Sequence, residues 1–541
     1  MNLLLLLSLA IPLAGAVLLK VFRATMAQAS PRWIALVATL VTLLVSLNMA
    51  HEFTLLPEQA VNASRPVEPR YEMRYHWLTV PAASVAGAGS QGFQMEFRLG
   101  LDGISLTLIV LTTVLTVSCV LISWEAIKEQ EAEFYITLLF LETGLIGVFC
   151  AFDLVMFYVA FEFTLIPLFF MIGEWGGPQR RYAAIKFFLY TLTGSLVTLV
   201  AVVALVMHAS AGGLVNPTSI PDLAEWLKAH PLDHHLQVAL FLAMATGFMV
   251  KVPVIPLHTW LPLAHTEAPT AGSVLLAGVL LKLGTYGFLR LCLPFFPDAC
   301  ATVGVPLFGT LAVVGIIYGS LCALAQRDVK KLVAYSSVAH LGFCLLGLFA
   351  LNSAGIAGGV MQMINHGLST GGLFLLVGMI YERYHTRQLD DLHGLASRLP
   401  LLACAMVFIS MASIGLPGLN GFIGEILSLG GMFQRHPIYA AIGALGLVLG
   451  AWYLLSMLQT VLFGPFVEPH HGEANVGDLN LREALALAPI FVLCLWIGVR
   501  PQPLLDTIKP DVDRVAALYE NAGDEWAARP PVAKETPLAQ E

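Results

Sequence analysis

The segment from His235 to Pro294 reads HLQVALFLAMATGFMVKVPVIPLHTWLPLAHTEAPTAGSVLLAGVLLKLGTYGFLRLCLP and contains two lysines within apolar surroundings. The first, Lys251, follows a run of fifteen uncharged residues. Pro253 and Pro256 come directly after it, and proline breaks a helix because it lacks the amide hydrogen and clashes with the preceding turn. A helix broken within a membrane is tolerated where it lines a protein cavity. The segment therefore predicts a discontinuous membrane helix with a lysine at its break.

A second apolar helix follows, from Ala271 to about Leu293, with Lys282 near its middle. An ammonium group at mid-depth in a bilayer costs roughly 2.5 to 3.5 kcal/mol on insertion scales, so such a residue indicates a function. Burial disfavours the charged form, and a buried lysine can therefore exchange protons near neutral pH. Two such lysines predict a proton relay. The alternative is that each lysine belongs to a static ion pair or extends toward the membrane surface.

The composition excludes a soluble protein, because 57% of the 541 residues are hydrophobic and only 12% are charged. The basic residues lie in short loops rather than in a stripe, so no nucleic-acid partner is expected. The eight cysteines are scattered singly, without a CxxC pair, which argues against zinc or iron–sulfur ligation. No nucleotide-binding or metalloenzyme motif occurs, so we expect no cofactor and no metal in this chain. Any redox chemistry would lie in other chains.

Fourteen segments are close to the ~20 residues that a membrane-spanning helix needs. They cover residues 2–22, 32–52, 100–123, 132–151, 153–173, 183–209, 236–265 (broken), 271–294, 301–325, 329–351, 355–382, 400–433 (broken), 438–466 and 482–500. The predicted fold class is therefore an all-α polytopic membrane protein with about 14 transmembrane helices. The first segment resembles a signal peptide, but its positive residues, Lys20 and Arg23, follow the apolar run, so we expect an uncleaved span.

Lysine and arginine accumulate on one side of the predicted membrane. The predicted inside loops and their flanks contain Lys20, Arg23, Arg32, Lys128, Arg180, Arg181, Lys186, Arg327, Lys330, Lys331, Arg383, Arg387, Arg398 and Arg482. The short outside loops and flanks contain only Lys228, Arg290 and Arg435. Because positively charged loops stay on the inside, both termini are expected on the outside.

A second discontinuous helix is predicted at GLPGLNG, just before Glu425. It lies five spans after the first. Because successive spans cross the membrane in opposite directions, an odd number of spans places the two broken helices in opposite orientations, as in transporters built from inverted repeats. The predicted organisation is residues 1–99 as N-terminal spans and an extramembrane loop, 100–131 as the third span, 132–294 and 301–466 as two inverted five-helix repeats, 467–500 as the last span and 501–541 as a polar tail. Within the first region, the 53–99 loop is expected to form a cap or lid. The tail is either disordered or lies along a neighbouring protein.

Two glutamates flank the tight connection at Phe152 and Asp153. Glu142 and Glu162 each lie about ten residues away, so at about 1.5 Å per residue both carboxylates lie about 15 Å deep on consecutive antiparallel helices. We therefore expect them to be neighbours. If Glu162 faces Lys251, the two groups could pass a proton between nearly balanced states; the alternative is a static buried ion pair. Glu142 is expected to have a supporting or a structural role.

Three further ionisable residues lie in the middle of predicted spans. His340 lies in KKLVAYSSVAHLGFCLLGLF, His366 in GIAGGVMQMINHGLSTGGLFLLVGMIYERY and Glu425 in NGFIGEILSLGG. A lone histidine on an apolar face is usually a core residue, but two of them near Ser, Asn and Gly favour a relay. Glu425 lies after a helix break, where an ion site is expected. Together with Glu162 and the two lysines, these residues predict a polar line parallel to the membrane plane.

Several runs of the sequence resemble a known family. They are KVPVIPLHTWLPLAHTEAPTAGSVLLAGVLLKLGTYGFLR, SSVAHLGF, INHGLSTGGLFLLVG, GLPGLNGFIGE and LGLDGISL. These runs are similar to the antiporter-like subunits of complex I, the proton-pumping NADH:quinone oxidoreductase, from about Leu99 to Phe466. Several related subunits, including those of cation/proton exchangers, generally carry lysine at the position of Glu425. The chain is most similar to the branch of the family that carries glutamate there.

The resemblance implies a proton-translocating subunit of a bacterial respiratory complex, located in the inner membrane with both termini on the periplasmic side. Glu162 and Lys251 would form the input pair, Lys282 the central relay, the two histidines connecting groups and Glu425 the terminal site that releases protons outward. NADH, FMN, iron–sulfur clusters and quinone are expected on partner subunits. The implied partners are the other membrane and peripheral subunits of complex I, including neighbouring antiporter-like subunits, and the lipid bilayer.

Other functions fit parts of the same pattern. A cation/proton antiporter subunit would work from ion gradients without redox coupling, and the lysine usual at position 425 in that group argues mildly against it. A membrane subunit of a hydrogenase-related complex is a further alternative that the spans alone do not exclude. A purely structural scaffold does not explain several ionisable residues in mid-membrane.

Overall fold

The computed structural model of the chain describes residues 1–22, 30–56, 65–80, 93–467 and 476–520, most of which are helical. The first elements are α1 (Asn2–Phe22), α2 (Ser30–Leu55), β1 (Tyr71–Val80), β2 (Phe93–Leu101), α3 (Gly103–Ala126), α4 (Glu131–Cys150), α5 (Leu154–Trp175), α6 (Arg180–Ala211), α7 (Ile220–Ala229) and α8 (His234–Lys251). They are followed by α9 (Trp260–Glu267), α10 (Thr270–Phe295), α11 (Pro297–Leu324), α12 (Val329–Leu348), α13 (Ser353–Tyr384), α14 (Pro400–Ile414), α15 (Asn420–Arg435), α16 (Pro437–Leu462), α17 (Leu481–Val499) and α18 (Gln502–Glu520).

The predicted class of all-α polytopic membrane protein is confirmed. Within the described ranges, twelve helices are long and apolar enough to cross a membrane, namely α1 to α6, α10 to α13, α16 and α17. The two remaining predicted spans correspond to the pairs α8/α9 and α14/α15, and the count of fourteen stays a prediction. Helix α5 is interrupted at Thr164, between Leu154–Phe163 and Leu165–Trp175, which the sequence did not predict.

Both predicted helix breaks are present. Helix α8 ends at Lys251, and a turn of eight residues separates it from α9. Helix α14 ends at Ile414, and the chain turns through Gly415 and Gly418, whose φ angles of +82° and +93° favour glycine, before α15 begins. The two discontinuous pairs are the feature expected of inverted repeats, whose proposed boundaries stay a prediction.

Side chains at the N-termini of several helices satisfy amide groups that the helices themselves cannot bond. Asp102 accepts from the amide of Ser105 at 2.8 Å, and the Ser105 hydroxyl accepts from the Asp102 amide at 2.9 Å. Asp328 caps α12 and Asn352 caps α13 through their side-chain oxygens. These caps determine where the buried helices begin and therefore the depth of the residues they carry.

Helices α10 and α13 form the centre of the bundle, and the apolar windows of both are completely buried. Glycines let them approach closely. A Cβ atom added at Gly367 would lie 2.7 Å from the carbonyl oxygen of Gly278, so the two backbones nearly touch. Helix α10 also contains π-helical turns at Leu276–Leu280 and Phe288–Cys292, and such turns often occur at functional sites.

Glycines also bring α13 against α15. A Cβ atom at Gly431 would lie 2.3 Å from the Cα and the amide nitrogen of Gly355, and one at Gly358 would lie 2.3 Å from the amide nitrogen of Ser428. No side chain can enter between these backbones. The two helices are therefore in direct main-chain contact along this stretch, named here the glycine seam.

One end of the bundle carries the two strands, β1 and β2, and is named here the hairpin face. The strands pair antiparallel from Tyr71 opposite Leu101. Arg98 is buried and joins the hairpin to α7, because its guanidinium lies 2.6 Å from Glu72 and 3.1 Å from Asp222. The sequence predicted only a cap here, and the strands are a departure from an all-α chain. Parts of that 53–99 loop, residues 57–64 and 81–92, lie outside the described residues.

The polar tail begins with an ordered helix, α18, which packs on the hairpin face. Its Asp511 accepts a hydrogen bond from the amide of Gly103 at 2.8 Å, and its Tyr519 donates one to the carbonyl of Leu293 at 2.7 Å. Burial and the nearby Asp102 raise the pKa of Asp511 to about 8. The tail therefore lies along its own chain as far as residue 520, and residues 521–541 lie outside the described part.

The glycine seam gives a test of the packing. We expect Gly431→Ala to destabilise the protein by about 1 to 3 kcal/mol, because the added methyl meets the Gly355 backbone and the helices must separate. The measurement is the thermal unfolding midpoint of the purified protein in detergent. Gly430→Ala is the matched control, since a Cβ there meets nothing within 4 Å. Equal midpoints for the two variants would contradict the close packing.

Candidate functional site

The first predicted lysine lies at the end of a half-helix. Lys251 is the last residue of α8 and is buried. Among the described residues its ammonium nitrogen has no hydrogen-bond partner, and it lies 4.2 Å from the centre of the Phe161 ring, a cation–π distance. The negative end of the α8 dipole also favours the positive charge here. Lys251 can therefore lose its proton without breaking a hydrogen bond to another residue.

Glu162 is the acidic group that acts electrostatically on Lys251. The two groups interact electrostatically, and Ser195 of α6 also lies beside the carboxylate. In the part of the chain that the structure describes, they form no ion pair within 4.0 Å and Glu162 Oε1 has no hydrogen-bond partner. Glu162 and Lys251 therefore interact through their charges rather than through a hydrogen bond.

The centre of the site is a direct contact between α10 and α13. Lys282 Nζ lies 2.6 Å from His366 Nδ1 and also donates to the carbonyl of Ala277 in its own helix. Both side chains are buried. Lys282 lies one helical turn after Gly278, and His366 directly precedes Gly367, so the close approach of these two glycines brings the side chains within reach. The structure thus joins two residues that the sequence placed only at similar depth.

The third group lies at the second helix break. Glu425 of α15 lies 3.2 Å from His340 Nδ1, measured from its Oε1 atom, and Gln362 of α13 donates to the same oxygen at 3.4 Å. On the other side of the His340 ring, Ser413 and Tyr453 each lie 3.4 Å from Nε2. Both nitrogens of this imidazole therefore have polar partners, so it can accept a proton on one side and release one on the other.

The predicted residues form two clusters rather than one unbroken line. The rings of His340 and His366 lie 5.6 Å apart, so Lys282, His366, His340 and Glu425 follow one another at short intervals. Across the described residues, no hydrogen bond joins Lys251 to Lys282, although the Lys251 stem packs on Gly284 of α10. The buried line therefore consists of a hydrogen-bonded central and terminal part and an electrostatically coupled first part.

Glu142 lies apart from these clusters. It is fully buried in α4, and within the described chain neither carboxylate oxygen has a hydrogen-bond partner. Glu142 acts electrostatically on Cys119 of α3, whereas Glu162 interacts with Lys251. The expected proximity of Glu142 and Glu162 and the supporting role of Glu142 both stay predictions.

Sequence reasoning missed several polar residues around the line. Gln362 and Tyr453 contact Glu425 and His340, and His265 and Lys330 are buried beside the centre. His265 is the last residue of the first broken span predicted, 236–265, and was not singled out. Lys330 was counted only as a positive loop residue. The available signal was its place within the first turn of an apolar helix that leads to His340.

The described ranges contain no group of three or more His, Cys, Asp or Glu side chains placed to hold a metal ion. The eight cysteines are all free. The chemistry that the described site can perform is proton transfer between nitrogen and oxygen atoms, because its ionisable groups are amines, imidazoles and carboxylates.

A bundle with two discontinuous helices and a buried series of lysine, histidine and glutamate defines an antiporter-like membrane subunit. The family model described as "NADH:quinone oxidoreductase/Mrp antiporter, TM" matches residues 151–459, which include every residue of the buried line. The chain is 42% identical to NADH-quinone oxidoreductase subunit M of Rhodobacter capsulatus, over 94% of this chain and 95% of that protein. It is 44% identical to NADH-ubiquinone oxidoreductase chain 4 of Marchantia polymorpha, over 78% and 83%.

A solved structure agrees with these relatives. A chain of respiratory complex I from Thermus thermophilus with bound NADH matches with a TM-score of 0.79 and 31% identity, covering 95% of this chain and 99% of that one. The protein belongs to the family of NADH:quinone oxidoreductase subunit M, whose mitochondrial counterpart is chain 4.

Proposed function

We propose that this chain translocates protons as a membrane subunit of respiratory NADH:quinone oxidoreductase. The observation that carries the proposal is the contact of Lys282 with His366, followed by His340 and Glu425, all of which are buried. Ionisable side chains in mid-membrane are costly and indicate an ion pathway. The relatives supply the complex in which such a pathway would operate.

The central step is a proton shift within the Lys282–His366 hydrogen bond. When the lysine is protonated, its ammonium donates to the unprotonated Nδ1 of His366. When the proton moves across, the imidazole Nδ1 donates to the neutral amine. The same contact thus supports both states, and the positive charge moves from α10 to α13 without a change of partners.

The terminal step delivers the proton to a carboxylate. His340 receives it from the direction of His366, and its Nδ1 passes it to Glu425 Oε1, the nearest carboxylate oxygen. Gln362 supports this geometry because its amide donates to the same carboxylate. Glu425 then releases the proton to the outer side. The carboxylate is negatively charged again, and this charge favours the arrival of the next proton on His340.

Lys251 and Glu162 control the first part of the line. A proton on Lys251 places a positive charge near the centre, whereas loss of that proton removes it. Because charges interact strongly in a low-dielectric interior, this change alters the energy of a proton on Lys282 without a direct bond. The coupling to electron transfer would reach this chain in the same way, through charges on neighbouring subunits.

The redox cofactors belong to other subunits of the complex in this proposal. NADH, FMN, iron–sulfur clusters and quinone are assigned to the partner chains, and this chain contributes amines, imidazoles and carboxylates only. A gradient-driven antiporter subunit is the second candidate, and the family model's description includes such proteins. The identity of 42% to a subunit M over nearly the whole chain favours the redox-coupled complex.

Lys251 provides the first functional test. Removing a positioned proton carrier slows a transfer step by about 100-fold or more. We therefore expect Lys251→Met and Lys251→Arg to abolish the proton uptake that passes through this chain, measured as a loss of NADH-driven uptake in inside-out membrane vesicles. Arginine keeps the charge but does not release its proton. Lys228→Met, which changes an exposed lysine, is the control. Normal pumping by the arginine variant would disprove a relay that loses its proton at this position.

We also propose that the hairpin face is periplasmic, which puts both termini on that side of a bacterial inner membrane. The positive loop residues support this orientation, since most of them lie at the opposite face. Two cysteine substitutions test it in intact membranes. A membrane-impermeant maleimide should label Arg327→Cys in inside-out vesicles and His436→Cys in right-side-out ones. The reverse pattern would place the hairpin face inside.

A further inference from the structure

Two asparagines join the helices that carry His366 and Glu425, and they are named here the asparagine pair. Asn365 of α13 donates from its side-chain amide to the backbone carbonyl of Asn420 at 2.7 Å, and Asn420 donates in return to the carbonyl of Asn365 at 3.2 Å. Both side chains are buried, with exposures of 1% and 0%. Asn365 directly precedes His366, and Asn420 is the first residue of α15. The pair therefore links the backbone beside His366 to the start of the helix that carries Glu425.

Helices α13 and α15 stay in close contact from the glycine seam to the asparagine pair. A Cβ atom added at Gly424 would lie 2.8 Å from the backbone nitrogen of Gln362, so the two backbones nearly touch here as well. Van der Waals contacts between backbones depend little on direction, whereas a hydrogen bond requires a defined distance and angle. At the hairpin end of the seam, Asn352 donates to the carbonyl of Gly431 at 2.8 Å. In mid-membrane, at the second helix break, the asparagine pair fixes the register of the two helices.

This register determines the contacts of Glu425. Gln362 of α13 donates to Glu425 Oε1 at 3.4 Å, and His340 Nδ1 lies 3.2 Å from the same oxygen. A slide by one residue moves a helix by about 1.5 Å along its axis, which is enough to lengthen both contacts beyond hydrogen-bond distance. His366 would move with Asn365 relative to α15. The terminal part of the relay therefore depends on the register that the asparagine pair holds.

Packing alone does not account for two asparagines at this place. Asparagine is a poor helix former, and the side-chain oxygens of Asn365 and Asn420 have no hydrogen-bond partner among the described residues. A buried polar atom without a partner costs free energy, whereas apolar groups of the same shape can be neutral or stabilising. The asparagine pair therefore has a cost in stability, which is typical of functional sites.

We propose that Asn365 and Asn420 are positioning residues for the terminal proton transfer, because they fix the register at which His340 and Glu425 meet. This inference rests on the proposed function and adds to it the groups that hold the relay in its working geometry. Neither asparagine gains or loses a proton, since an amide has no titratable group. Their contribution is the distance between the proton donor and the acceptor, which must be close to that of a hydrogen bond for transfer.

The test uses the whole complex in native membranes, with Asn365→Leu, Asn420→Leu and the double variant. Leucine is of similar size but donates no hydrogen bond. The measured quantity is the number of protons taken up per NADH oxidised in inside-out vesicles, and a native gel stained for NADH-dependent dye reduction reports assembly. Each single variant keeps one bond, because the remaining asparagine donates to a backbone carbonyl. We therefore expect a partial fall of the ratio in the single variants and, in the double variant, a fall equal to that caused by Glu425→Gln.

Asn48→Leu is the matched control, since Asn48 is an exposed asparagine of α2, and it should leave the ratio unchanged. A structural role alone would lower the amount of assembled complex and leave the ratio normal in the complexes that form. Such a result, or a normal ratio in a double variant that assembles fully, overturns the proposal. If no leucine variant assembles, the smaller polar variants Asn365→Ser and Asn420→Ser decide. A normal ratio in both, or a failure of these to assemble as well, overturns the proposal, and a reduced ratio supports it.

Lys251→Met and Glu425→Gln are measured in parallel. If both pump normally, the proposed function itself fails. If they lose uptake while the double asparagine variant keeps the normal ratio, only the positioning role fails.

Discussion

The hydrogen bond between Lys282 and His366 is the interaction on which the rest of the molecule depends. In it, a buried amine and a buried imidazole lie 2.6 Å apart. Such a contact forms only if the two helices that carry it approach more closely than ordinary side chains allow. Gly278 and Gly367 remove the side chains that would keep α10 and α13 apart. The glycines of these helices therefore serve the chemistry as well as the packing.

The two helix breaks solve a related problem at the ends of the line. A continuous helix satisfies all its own backbone groups and offers little to a buried charge, whereas the end of a half-helix has unpaired carbonyls or amides. Lys251 ends α8 at such a position and faces an aromatic ring instead of a carboxylate. Glu425 follows the second break and bonds to His340. Electrostatic interactions therefore determine the surroundings of Lys251, whereas hydrogen bonds determine those of Glu425.

Much of this arrangement could be predicted from the sequence, because proline, glycine and isolated charges in apolar runs have few physical explanations. The breaks and the order of Lys251, Lys282 and Glu425 followed from these signals. Direction around a helix did not, so the expected proximity of Glu142 and Glu162 stays a prediction. The two strands were missed because Pro, Gly and charged residues around them obscured the pattern of alternation. His265 lay too near a predicted loop for its burial to be inferred.

The glycine seam has an electrical consequence. Where the backbones of α13 and α15 touch at Gly355 and Gly431, no file of water can lie between them, so this layer has a low dielectric constant. Water conducts protons and lowers the local field, whereas a dry layer does neither. The seam therefore closes the space between α13 and α15, and a proton that leaves Glu425 for the hairpin face must pass on another side of α15.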